Sequence, residues 1–122
     1  MNRFQVKVLQ MQKAFIDAVS AAFGMASASG TSEEEWNALA VCIVRISECI
    51  SDLKHVDHCA DSGIRIDALF MILWDYIDSF ASVLNGDAFA GTDHVWFNAC
   101  LELLSESVGE MEEFIHDARS GT

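Results

Sequence analysis

The sequence predicts an all-α fold, an antiparallel up-down-up-down four-helix bundle in a single domain over residues 1–122, paired as a dimer. Three observations carry this. Apolar residues recur at spacings of three and four along four long segments, the signature of helices that bury one face. Breaks containing glycine and small polar residues separate those segments, and the chain has no proline to interrupt them. Short turns between helices of similar length favour antiparallel neighbours. The helices are expected at about 3–28, 32–60, 64–85 and 92–118.

The first segment carries Phe4, Val8, Met11, Phe15, Ala18, Ala22 and Met25 on one stripe and ends at Ala28-Ser29-Gly30-Thr31. The second opens with a capping box, Ser32 to Glu35, with Glu33, Glu34 and Glu35 on the positive end of the helix dipole. Its stripe is Trp36, Leu39, Ile43, Ile46, Ile50 and Leu53, and it stops near Asp61-Ser62-Gly63. The third stripe is Ile66, Leu69, Phe70, Leu73, Ile77, Phe80 and Leu84, followed by the loop Asn85–Gly91. Gly63 and Gly86 stand where left-handed C-terminal caps are expected. Within the loop, Phe89 between small residues is placed to cover one end of the bundle. The fourth segment has Thr92-Asp93 as an N-cap candidate and the stripe Phe97, Leu101, Leu104, Val108, Met111, Ile115 and Ala118.

The composition narrows the function. Hydrophobic residues make up 52% of the chain, so it can bury a core. Seven Lys and Arg against nineteen Asp and Glu give a formal charge of −12. That balance opposes direct binding to nucleic acid or to an anionic membrane, both of which need a basic face. Polar residues interrupt the first twenty positions, so no signal-peptide core is expected. Cys42, Cys49, Cys59 and Cys100 form no CxxC pair. Cys42 and Cys49 lie about 10 Å apart along one helix, too far for a disulfide. Free thiols and a cytoplasmic location are expected.

One stripe per helix does not use up the apolar residues. A second row in the first segment, Leu9, Ile16 and Phe23, is spaced by sevens and lies about 100 to 140° from the first. Val41 and Val44 occupy the side of the second segment opposite Leu39 and Ile43. These five residues are the expected oligomer interface, because a second apolar seam on a bundle helix marks a protein–protein surface. The third segment is apolar round most of its circumference, with Ile72, Trp74, Tyr76 and Val83 beside its stripe, which fits a wide core.

Reactive constellations are missing. Carboxylate-bridged metal sites need Glu-x-x-His pairs that point into a bundle. Glu113/His116 and Asp52/His55 have that spacing but fall on the outer sides of their helices. His55, His58 and Cys59 are denser in ligand types, with Asp61, His94 or His116 as conceivable fourth ligands, yet their spacing matches no zinc motif. No cysteine sits at a helix N-terminus to be activated, and GxSxG, HExxH and phosphate-cradling glycine loops do not occur. No arginine has a histidine four to six residues later, as a helical nuclease of the HEPN type requires. No cofactor, metal or enzymatic activity is expected.

The most organised polar feature is a ridge on the fourth segment: Glu102, Glu106, Glu110, Glu113 and Asp117, spaced four, four, three and four. No cation interleaves them before Arg119. Like charges at i,i+4 cost a helix a few tenths of a kcal/mol per pair. The ridge also keeps a hydrophobic chain soluble. Its functional reading is a docking surface for a protein partner with a basic or nucleic-acid-binding surface. The expected function is a small acidic, non-enzymatic binding protein that inhibits by stoichiometric occlusion. In character the chain is similar to small acidic inhibitors such as anti-CRISPR proteins, toxin-immunity proteins and anti-activators, although no motif assigns it to one of them. The alternatives are a metal- or small-ligand-binding bundle using the His55–Cys59 cluster, and a structural subunit of a larger complex.

Overall fold

The structure is a computed structural model that describes residues 3–55, 63–86, 89 and 94–120, and their side chains apart from those of 63–65 and 118–120. Its elements are α1 (Arg3–Ser29), α2 (Glu33–His55), α3 (Gly63–Leu84) and α4 (Val95–Ser120). No strand occurs among the described residues. Each helix stays within a few residues of the expected span, and residues 56–60 of the second expected helix lie outside the described residues.

The four stripes meet in one core. Phe4, Val8 and Met11 of α1, Leu39, Ile46 and Leu53 of α2, Leu73, Ile77 and Phe80 of α3, and Phe97, Leu104 and Met111 of α4 belong to a single buried cluster. Phe80 and Phe97 stack across α3 and α4 with ring centroids 5.3 Å apart. Among the described residues no polar or charged side chain is buried, so the core requires no internal polar network.

The helices do not contact one another equally. α1 pairs chiefly with α4, and α2 chiefly with α3, whereas α1 with α2 and α3 with α4 meet along thinner seams. Side-chain size explains the first pair. Ala14, Ala18 and Ala21 are buried and by helical spacing share the side of α1 that carries Arg3 and Lys7, whose partners are on α4, and small contact residues shorten the distance between helix axes. The pairing is consistent with a bundle built from two tight pairs.

The helix ends follow the local chemistry with one correction. At the start of α2, the Glu35 amide donates to Ser32 Oγ at 3.3 Å, and the Ser32 hydroxyl donates to Glu35 Oε1 at 2.7 Å. This is the expected capping box with its return bond made to the hydroxyl. The left-handed cap is not at Gly63 or Gly86. Gly30 holds it, with φ of 68°, and Gly63 begins α3. The Thr31 hydroxyl donates to the Ala26 carbonyl at 2.7 Å and closes the end of α1. Thr92 and Asp93, the other N-cap candidates, lie outside the described residues.

The α3–α4 connection is pinned from both sides. His94 Nε2–H donates to the Leu84 carbonyl at 2.7 Å, and Asn85 Nδ2 donates to Asn98 Oδ1 at 3.3 Å. Phe89 is fully buried in the core cluster, and its amide donates to the Gly86 carbonyl at 3.2 Å. The expectation that Phe89 packs against the bundle is met.

Adjacent leucines on α4 test this register. Leu104 is 0% exposed and Leu103 is 56% exposed. In urea denaturation, Leu104→Ala is expected to cost about 2–5 kcal/mol and Leu103→Ala under about 0.5 kcal/mol. Equal costs would mean that α4 is rotated from this position.

Candidate functional site

α4 turns its core stripe inward and its ridge outward. With Phe97, Leu104, Val108 and Ile115 buried, the spacing of about 100° per residue puts Glu102, Glu106, Glu110, Glu113 and Asp117 on the far side. All five are exposed. Lys7 of α1 reaches Glu110 at 3.8 Å while its ammonium lies 6.0 Å from the centre of the Phe114 ring. Arg3 lies over the same ring at 5.7 Å. This cation comes from another helix, so no spacing within the fourth segment could reveal it. The other four ridge carboxylates have no ion pair among the described residues, and an exposed pair such as Lys7–Glu110 is worth little.

A further carboxylate on α4 has a different role. Glu112 is half-buried and accepts a hydrogen bond from the Trp74 indole N–H, which ties α3 to α4 along their thin seam. An open cleft of about 560 Å³ beside it is lined by Asp67, Glu112, Glu113, His116 and Asp117, with Phe70 and Ile115. Spacing leaves Glu112 off the ridge but could not reveal its bond, because its partner lies 38 residues away.

The proposed seam residues are all exposed: Leu9, Ile16 and Phe23 on α1, Val41 and Val44 on α2. They do not form one patch. Leu9 and Ile16 line clefts of about 470 and 280 Å³ between α1 and α2, whose other members include Gln5, Gln12, Ser47, Ser51 and Lys54. Among the described residues no carboxylate lines either cleft. Phe23 continues this side by packing on Trp36, with ring centroids 5.8 Å apart. Val41 and Val44 line a separate depression on α2 with Asn37, Ala40, Arg45 and Glu48.

Several exposed apolar residues escaped the sequence reading. Met71 is 70% exposed and Ile72 is also exposed, so the core does not absorb the whole circumference of α3. Val95, Trp96 and Leu103 are exposed on α4. Trp96 and Leu103 stand seven apart, the same signal that identified the α1 row.

Among the described residues reactive groups do not converge. Among the described residues no group of three or more His, Cys, Asp and Glu is placed to hold a metal ion. His55 and His116 are exposed on different helices, and His58, Cys59 and Asp61 lie outside the described residues. Cys42, Cys49 and Cys100 are free and buried. Burial pushes all three thiols above the ordinary thiol range; Asp52 and Glu48 add to the effect at Cys49, and Asp17 at Cys100. Among the described residues, no helix is long and apolar enough to cross a membrane. Comparison with protein-family models, curated proteins and solved structures finds no match to this chain.

The thiols give a direct test. A buried neutral thiol reacts slowly, because the thiolate is the nucleophile. At neutral pH, iodoacetamide is expected to label Cys42, Cys49 and Cys100 slowly in the native protein and readily in denaturant, read by peptide mass spectrometry. The raised values also set a sign. Both states hold these protons at neutral pH, and above the ordinary thiol range the unfolded state loses them first. Stability is therefore expected to fall as pH rises through that window.

Proposed function

We propose that the chain is a small, acidic, cytoplasmic binding protein without enzymatic activity. It inhibits or neutralises a protein partner by stoichiometric occlusion, in the manner of an anti-activator, immunity or anti-defence protein. The observation that carries this reading is the α4 ridge: five exposed carboxylates along one helix face, over about 22 Å. A row of that length exceeds the screening distance of about 8 Å at physiological salt. It steers and aligns a basic partner surface instead of pairing with one side chain. Free buried cysteines agree with a reducing compartment.

The scaffold we propose is the antiparallel, up-down-up-down bundle. Contacts that run in opposite chain directions support it. Arg3 meets Phe114 and Lys7 meets Glu110, while Cys100 feels the charges of Lys13 and Asp17. Between α3 and α4, Trp74 meets Glu112 and Asn85 meets Asn98. A homodimer through the α1–α2 side completes the proposal. Among the described residues the Leu9–Ile16 clefts lack carboxylates, and two chains of charge −12 approach most easily where carboxylates are missing.

Two measurements test this reading. In capture from the native host, a partner is expected to bind at low salt, to weaken as salt rises, and to be lost with Glu106→Lys plus Glu110→Lys. Retention by that variant would reject the ridge. In sedimentation equilibrium, the parent is expected to be a dimer and Ile16→Glu a monomer of unchanged helicity. A monomeric parent would reject the α1–α2 seam.

A further inference from the structure

The exposed face of α4 changes character along its length. Its first turns present Trp96 and Leu103, 62% and 56% exposed, with exposed Val95 nearby and Glu102 as the single carboxylate among them. From Glu106 onward it presents Glu106, Glu110, Glu113 and Asp117. Trp96, Leu103 and Glu110 recur every seven residues and so fall within about 40° of one another, making the apolar and acidic parts one continuous strip. The three tryptophans separate cleanly. Trp36 packs on Phe23 and Trp74 bonds to Glu112, whereas Trp96 makes no hydrogen bond or ring contact among the described residues. A large exposed aromatic beside an apolar neighbour is the kind of residue that anchors protein interfaces.

We infer that the outer face of α4 docks a basic amphipathic helix of a partner protein. That helix is apolar at the end that meets Trp96 and Leu103 and cationic at the end that meets Glu106–Asp117. The inference rests on the ridge reading above and specifies the partner's chemistry. Charge complementarity selects this occupant. A groove shaped only for phosphates is cationic throughout and would leave Trp96 and Leu103 against charge. A second copy would set ridge against ridge and repel. From Trp96 to Asp117 the strip runs about 32 Å, so the matching helix has about 22 residues.

The test uses the full chain and two synthetic peptides of about 22 residues, both made of alanine, leucine and lysine in the same proportions. In one peptide the leucines are gathered at one end and the lysines at the other; in the second the two are interleaved. Binding is read by anisotropy of the labelled peptide and by tryptophan emission. The segregated peptide is expected to bind at least about tenfold more tightly than the interleaved one, as befits an aromatic anchor, and to shift the tryptophan emission to the blue. The variant Trp96→Ala plus Leu103→Ser is expected to bind both peptides at the weaker level, while Met71→Ala on α3 changes nothing. Circular dichroism checks that each variant keeps its helices.

Equal binding of the two peptides, or full affinity in Trp96→Ala plus Leu103→Ser, would overturn the inference. If that binding is still lost in Glu106→Lys plus Glu110→Lys, the ridge reading stands and only this inference fails. If the ridge variant also binds unchanged, or neither peptide binds the parent, both fail.

Discussion

Burying four apolar stripes in one core is the constraint on which the rest of this molecule depends. Each helix gives one face to that core and must present the opposite face to solvent or to another molecule. The core contains no charged or polar side chain among the described residues, so the described carboxylates are exposed or, like Glu112, half-buried at its edge. In a chain of charge −12, each helix arranges its own acids by its own spacing. On α4 that spacing gathers five acids into a row. On α1 only Asp17 is acidic, against Arg3, Lys7 and Lys13.

The unequal seams add a second layer of organisation. Alanines on α1 let it pack closely on α4, and this holds the acidic helix against the helix richest in cations. Lys7 and Arg3 gather around Phe114 and Glu110 at that junction. The thinner α1–α2 seam leaves Leu9 and Ile16 in open clefts that no described carboxylate lines. The side that carries acid and the side that carries apolar clefts thus differ, which allows self-association and partner binding to occupy separate faces.

Much of this was legible in the sequence because helical spacing is a local signal. The inward stripes, the Ser32 capping box, the buried Phe89 and the exposure of the ridge all follow from positions a few residues apart. The failures share the opposite property. Glu112 looks like one more acid until Trp74, 38 residues earlier, bonds to it. Lys7 reaches Glu110 from another helix. The left-handed cap fell at Gly30, where the Ser29 and Thr31 hydroxyls bond to the Ala26 carbonyl and close the helix. Trp96 and Leu103 were missed for a different reason: their spacing was visible, but they share the side of α4 that carries Glu110 and Phe114, which meet α1, and spacing within α4 does not say how much of that side α1 covers.

The outward face of α4 as the surface that meets a partner is the centre of this account, and carboxylate footprinting tests it most directly. Carbodiimide-driven amidation of the protein, free and in complex with its native partner, is read by mass spectrometry at each acid. The account predicts that Glu102, Glu106 and Glu113 react in the free protein and are protected in the complex, while Asp75 and Asp78 on α3 react in both. Protection of the α3 acids with the α4 carboxylates unchanged would contradict it.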